Sequence, residues 1–387
     1  MLLRSVYGDA FVLIGVVCDE ERRIRRVQEK YADAGRENTL GLMARDANES
    51  EVYGQHVDDA VHLADFFVDN TTDRSAGVSW TIPDDLKRLT KIVTHSELVR
   101  PRIAETSMFH AHSAKMRSAC LSKQVGAAVV DGQGNLVATG TNEVPRAGGG
   151  VYGESFETSE EDHRCAYMRD TKDRFCRNTR EQNEIINDLI QKIPELGSVA
   201  DQDEIRRRLL KTRIGGLIEF SRAVHAEMDA LLSAARRGVP LVGCRLFVTT
   251  FPCHYCARHI VAAGIDEVQY IELYPKSKAI KLHRDAITAE SLGWQPPSEG
   301  GTKVLFRPFY GVAPRFYERA FFKDRELKEK QTGDMKILEP EWASPWYLSQ
   351  TSYVQIEAKL SKTDPPHVPT DEILRSDSPA PASPHDS

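Results

Sequence analysis

R-A-V-H-A-E-M-D-A-L-L-S-A-A-R-R-G (residues 222–238), followed by F-P-C-H-Y-C-A-R-H-I-V-A-A-G (residues 251–264), decides the fold of the chain. His225, Cys253 and Cys256 offer one imidazole and two thiolates, the three protein ligands of a catalytic zinc whose fourth position is left for water. Glu227 is a carboxylate outside that ligand set. Apolar residues recur at helical spacing through Met228, Leu231, Leu232 and Ala235 until Gly238 stops the helix, and Ser221 is its expected cap. A second helix is expected from Pro252 to Ala263, with Cys253 and Cys256 one turn apart so that both sulfurs face one side. The free N–H groups of that first turn favour thiolate over thiol. A structural zinc knuckle would close the fourth position with another Cys or His, and none sits at a fitting spacing.

H-x-E with P-C-x-x-C is the signature of zinc nucleobase deaminases. The two stretches resemble the cytidine and deoxycytidylate deaminase superfamily, and most closely the bacterial anti-phage deaminases that act on dCTP. The resemblance is strong over about residues 90–330. It implies an α/β protein, a three-layer α/β/α sandwich with a mixed five-stranded sheet, preceded by a partial P-loop kinase-like α/β segment. It also implies Zn2+ as cofactor, with His225, Cys253 and Cys256 as ligands and Glu227 as the catalytic acid–base.

Composition bounds the partners. Of 387 residues, 57 are acidic and 51 basic, a net charge of −6 without a basic stripe, which argues against a polynucleotide as the main substrate. A small anion needs only a few cations. Seven Cys, two of them at metal-like spacing, are the usage of a reducing compartment, so a cytoplasmic protein is expected. The apolar run at residues 10–18 is too short to span a bilayer and lacks a small-residue cleavage site, so no membrane partner is expected.

Three regions are expected along the chain: residues 1–90, residues 91–330 with an insertion at 146–222, and a C-terminal extension at 331–387. In the first, strand, charged helix and second apolar stretch follow α/β punctuation, and R-D-A-N-E-S-E-V-Y-G-Q-H-V-D-D-A-V-H-L-A-D-F-F-V-D-N (residues 45–70) resembles the last part of a P-loop kinase-like domain. No G-x-x-x-x-G-K-[ST] occurs, so either the chain starts after that cradle or the segment is structural, with a packing or assembly role and no kinase activity expected. Residues 82–101 read as a link. A helix from Arg102 and a hairpin turning at D-G-Q-G-N (residues 131–135) open the second region. Beyond about residue 361 the Pro- and Ser-rich tail is expected to be disordered.

Later strands at residues 244–250, 267–273 and 303–309 are separated by the Cys helix and by a helix through Asp285 to Thr288, so the last two should pair in parallel. The long insertion can cover the mouth of the site. His163, Cys165 and Cys176 invite a second metal, but their spacing fits no standard pattern and Ala223 stands two residues before His225, so reduced cysteines are expected. In the superfamily an Asn after the second strand touches sugar or base, and Asn142 stands there, where a plain turn-stabilising Asn is the alternative. Tyr274, Lys276, Ser277 and Lys278 in Y-P-K-S-K offer a ring face, cations and a hydroxyl for a phosphorylated substrate, against a solvated helix start.

The resulting expectation is deamination of dCTP to dUTP in a homo-oligomer, serving anti-phage defence by depleting dCTP, with no regulatory partner legible. The rivals are a dCMP deaminase of pyrimidine salvage, a polynucleotide cytosine or adenine deaminase, and a non-enzymatic sensor that keeps zinc only for folding.

Overall fold

The computed structural model describes residues 2–31, 35–47, 57–72, 81–153, 162–168, 170–197, 201–323, 325–336 and 339–340. Its strands are β1 (Ile14–Val17), β2 (Phe66–Asp69), β3 (Gly126–Val130), β4 (Leu136–Thr141), β5 (Arg245–Thr250), β6 (Glu267–Glu272), β7 (Ile287–Thr288), β8 (Val304–Pro308) and β9 (Gly311–Val312). Its helices are α1 (Leu2–Tyr7), α2 (Glu20–Lys30), α3 (Arg36–Ala47), α4 (Val57–Val61), α5 (Ile82–Val93), α6 (Ile103–Lys115), α7 (Arg177–Lys192), α8 (Pro194–Gly197), α9 (Gln202–Leu210), α10 (Ala226–Arg236), α11 (His254–Ala262), α12 (Ala279–Leu282) and α13 (Pro314–Phe321). Contacts divide the chain into Leu13–Leu338 and a second unit of Met1–Val12 with Glu339–Ser387. Both sheets and the candidate site belong to Leu13–Leu338.

The expected hairpin forms. Asp131 Oδ1 accepts the backbone N–H groups of Gln133 at 2.9 Å and Asn135 at 2.8 Å, and Gly134 takes φ +89, so the turn chemistry closes β3 against β4. From there a six-stranded sheet runs β4-β3-β5-β6-β8-β7, with β3 antiparallel to both neighbours and the strands from β5 onward parallel. Strand periodicity sorts the two faces. Ala127 and Val129 with Leu246 and Val248 pack with Ala226 and Ala230 of α10 and Ile260 of α11. Ala128, Val130 and Phe247 pack with Met108 and Ala111 of α6. Helices therefore cover both faces, which is the three-layer sandwich.

The sheet has six strands where five were expected. A two-residue β7 occupies part of the stretch read as a helix through Asp285 to Thr288, and the helix of that region, α12, ends earlier at Leu282. The two segments are too short for a period to separate them. The parallel pairing of β6 with β8 is as expected.

Residues 82–101 are more than a link. They hold α5, whose Leu89, Ile92 and Val93 are buried, and Arg88 forms a two-pronged pair with the buried Glu105 of α6 at 2.7 and 2.8 Å. The expected boundary near residue 90 lies inside Leu13–Leu338. Ahead of it, β1 and β2 are parallel and β2 pairs antiparallel with β9, so residues from the two ends of this unit share a small sheet. Strand β1 reaches α2 through Cys18 and Asp19 alone, and Glu20 and Glu21 open the helix. Acidic groups there are unsuited to a phosphate cradle. Residues 48–56 of the kinase-like stretch and residues 341–387, including the tail expected to be disordered, lie outside the described residues.

One glycine sets the position of the site. A Cβ at Gly140 would lie 2.1 Å from the Ala226 carbonyl oxygen and 2.3 Å from the Ala230 nitrogen, so only glycine lets α10 rest directly on β4. Both opposing atoms are backbone, and relief requires the helix to move. Gly140→Ala should therefore cost about 1–3 kcal/mol or more in denaturant unfolding and displace the helix that carries Glu227. Unchanged unfolding would show that α10 is less tightly seated than this.

Candidate metal and active site

Two helix starts converge at the C-terminal end of β5. His225 is the N-cap of α10 and Cys253 the N-cap of α11, while Cys256 follows in the first turn of α11. Ser221 does not cap α10, because Val224 exchanges backbone hydrogen bonds with Glu143 and keeps the chain extended up to His225; the Ser221 hydroxyl accepts from Ala223 N–H instead. Helix α11 is shorter than expected, as Cys253 itself is the cap and Cys256 N–H points to its sulfur at 3.4 Å.

His225 Nδ1 lies 3.3 Å from Cys253 Sγ and 3.4 Å from Cys256 Sγ, and the ligating atoms of the three residues all fall within 4.8 Å of one another. Zinc–nitrogen and zinc–sulfur bond lengths give tetrahedral edges of about 3.5 Å, so the donor set and its spacing fit the ion. The protons of the cluster are shared unevenly. A hydrogen bond from Cys256, with further help from His225, pushes the Cys253 thiol down to about 4, and the same contact with burial pushes Cys256 well up. The Cys253 partner raises His225 to about 9. Such a site releases protons when a dication binds. It is the only group of this kind among the described residues, so His163, Cys165 and Cys176 do not form a second one there.

Glu227 sits in the first turn of α10 and is 4 % exposed. Burial, above all, pushes its carboxyl up to about 7. A cavity of about 300 Å³ contains His225, Glu227 and Cys253, with Thr250, Phe251 and Tyr274 from the sheet side. Its other walls come from residues 119–123, Val125, residues 142–144 and Ala223, and from the insertion through Cys165, Cys176, Arg177, Asn178, Ile218, Ser221 and Arg222. Residues of the insertion thus form part of the cavity wall. Phe251 stands edge-on to Tyr270, which fixes that wall.

The expected substrate contacts separate into two groups. Asn142 and Tyr274 line the cavity. Both polar atoms of the Asn142 side chain face backbone, Oδ1 accepting from Val125 N–H and Nδ2 donating to the Lys123 carbonyl, each at 2.6 Å, which holds residues 123–125 in place. Lys276, Ser277 and Lys278 are not in the lining. The Ser277 hydroxyl donates to the Pro252 carbonyl at 2.7 Å, Lys276 Nζ donates to the Gly215 carbonyl at 3.4 Å, and Lys276 and Lys278 are exposed. The cations that do line the cavity, Lys123, Arg177 and Arg222, were not anticipated. Arg222 had a signal, standing three residues before His225, whereas Arg177 lies in an insertion that carries no motif. No helix among the described residues is long and apolar enough to cross a membrane.

Comparison with known proteins agrees with this geometry. Residues 101–272 match the family model of the cytidine and deoxycytidylate deaminase zinc-binding region. The deoxycytidylate deaminase of Enterobacteria phage T4 is 31% identical over 182 residues, which cover 45% of this chain and 80% of the phage protein. That of Enterobacteria phage T2 is 31% identical over 178 residues, covering 45% of this chain and 82% of the relative. A probable deoxycytidylate deaminase of Drosophila melanogaster is 41% identical over 71 residues, covering 17% and 34%. The span matched to the zinc-binding region holds the whole His–Cys–Cys cluster, and the likeness to the phage relatives extends over most of their length, so the chain belongs to the cytidine and deoxycytidylate deaminase family.

Proposed function

We propose that the chain performs zinc-dependent hydrolytic deamination of a deoxycytidine nucleotide, converting dCTP to dUTP with release of ammonia. The observation that carries this reading is the buried Glu227 carboxyl in the cavity that His225 and Cys253 of the metal cluster also line. A structural metal has no use for such a group, and a non-enzymatic sensor would not need it.

His225, Cys253 and Cys256 would hold the zinc, which when bound would supply Lewis acidity and make hydroxide available near neutral pH. Glu227 takes a proton from the attacking water, holds it in a place where burial favours the neutral acid, and delivers it to the ring nitrogen beside C4 of cytosine. A second transfer through the same carboxyl lets the C4 amino group leave as ammonia. Phe251 and Tyr274 offer the flat apolar walls that a pyrimidine needs. Asn142 shapes the opposite wall through its bonds to residues 123 and 125. Close packing at C2′ would select deoxyribose.

Lys276 and Lys278, exposed in the loop after β6, would serve the outer phosphates of a triphosphate. Neutralising both should raise KM for dCTP more than it lowers kcat, as for groups that bind ground and transition states alike. An unchanged KM would remove them from the site. The second reading, dCMP as substrate, is supported by the names of the two phage relatives, each a deoxycytidylate deaminase. A side-by-side assay of dCTP, dCMP, CTP and deoxycytidine separates the readings. Preference for dCMP returns the protein to pyrimidine salvage, preference for CTP removes the sugar argument, and preference for deoxycytidine removes the phosphate argument. A role in anti-phage defence is supported by the resemblance of residues 224–238, 247–265, 274–278 and 282–287 to dCTP-depleting deaminases. It predicts a fall in cellular dCTP on infection that a Glu227→Gln chain does not produce.

A further inference from the structure

The cations around the cavity are not equivalent. Lys123 pairs with Glu272 at 2.5 Å. Arg164, just outside, pairs with Asp162 at 2.5 Å and approaches Glu143 at 3.8 Å. Glu143 in turn accepts the backbone N–H groups of Ala119 and Val144 at 2.7 and 2.9 Å. Arg177 and Arg222, which both line the cavity, have no carboxylate partner among the described residues. Both guanidinium groups are therefore open to an anionic ligand at the cavity wall.

The structure also holds these two residues at one rim. Asn178, the neighbour of Arg177, donates to the Leu217 carbonyl at 2.8 Å and accepts Phe220 N–H at 3.3 Å, and Gln182 donates to the same Leu217 carbonyl at 2.7 Å. Residues 217–222 and the start of α7 are thereby fastened together. Arg222 is fixed at one end by a 2.8 Å bond from Nη1 to the His163 carbonyl. The Arg177 guanidinium lies 4.3 Å from the Phe175 ring centroid, a contact that leaves the N–H edge of the planar group available. An edge of that kind suits a tetrahedral oxyanion with two parallel hydrogen bonds.

Resting on the deamination reading above, we propose that Arg177 and Arg222 clamp the first phosphate of the substrate, the one that every deoxycytidine nucleotide carries. The insertion then determines that the enzyme takes nucleotides and not nucleosides. Lys276 and Lys278, outside the lining, bear only on phosphates further out.

The test uses the zinc-loaded full chain with Arg177→Ala, Arg222→Ala and the corresponding Lys variants. Each Ala change should raise KM for dCMP and for dCTP by about tenfold or more and lower the residual deamination of deoxycytidine far less, because a charge-assisted bond to phosphate is lost. Lys should restore part of the loss through charge without the two-pronged geometry. Calorimetric binding of dUMP and dUTP, the products, should weaken by the same factor. Unchanged nucleotide KM and product affinity would overturn the clamp, as would an equal loss for deoxycytidine and nucleotides, which marks a structural role. A parent protein that deaminates none of the cytosine compounds overturns the function reading instead. Product binding then still reports on the clamp.

Discussion

A zinc-loaded Glu227→Gln protein should fold and keep its metal as the parent does, yet turn over its nucleotide roughly 10²- to 10⁴-fold more slowly. The amide preserves the volume of a side chain that is 4 % exposed, so no cavity opens in the first turn of α10. Burial pushes the carboxyl up to about 7, so a neutral amide is readily accommodated there. What the amide cannot do is accept a proton from water and return it to the ring. The loss should therefore appear in kcat, with KM and zinc content close to the parent values. Full turnover in a zinc-loaded variant would remove Glu227 from the reaction.

The metal cluster was legible because its geometry is local. Two helix starts, each announced by its own apolar period and ended by a glycine, bring His225, Cys253 and Cys256 together without reference to distant chain. The parallel pairing of β6 and β8 was legible for a similar reason, since the length between them forbids a hairpin. Features decided by long-range packing were not. Strand β9 is two residues long, pairs with β2 far back in the sequence, and has no period of its own. The α10 cap moved from Ser221 to His225 because a bridge between Val224 and Glu143 holds the chain extended. The arginines of the cavity rim were hidden in the same way, as Asn178 and Gln182 bind a carbonyl and an N–H some 35–42 residues ahead.

The helix within residues 82–101 does carry a local signal, since Leu89, Ile92 and Val93 recur at helical spacing behind Pro83, Asp84 and Asp85, a favourable helix start. Lys276 and Lys278 show the limit of reading a loop by its charges, since the structure leaves both outside the cavity lining. The loop turns on Ser277, whose hydroxyl is held by the Pro252 carbonyl, and both lysines stay exposed. Charge in a loop says little about direction until the backbone bonds of that loop are known.

Changing either sulfur ligand should abolish stoichiometric zinc, but the two positions should differ in what remains. Cys253 is the N-cap of α11 and its sulfur accepts Cys256 N–H, a task serine performs well, so Cys253→Ser should lose zinc while the metal-free fold is little weakened. Cys256 is fully buried within the core of α10, α11 and the sheet, where a hydroxyl needs a partner, so Cys256→Ser adds a penalty of about 1–3 kcal/mol in the metal-free state. Added zinc should stabilise the parent by about 4 kcal/mol when its free concentration is a thousandfold above Kd, and should leave both variants unmoved. Zinc content by elemental analysis and unfolding midpoints with and without zinc read these two effects separately. If stoichiometric zinc survives either substitution, the ligand set is wrong. If Cys253→Ser unfolds as readily as Cys256→Ser without metal, then its sulfur does more for the fold than cap a helix.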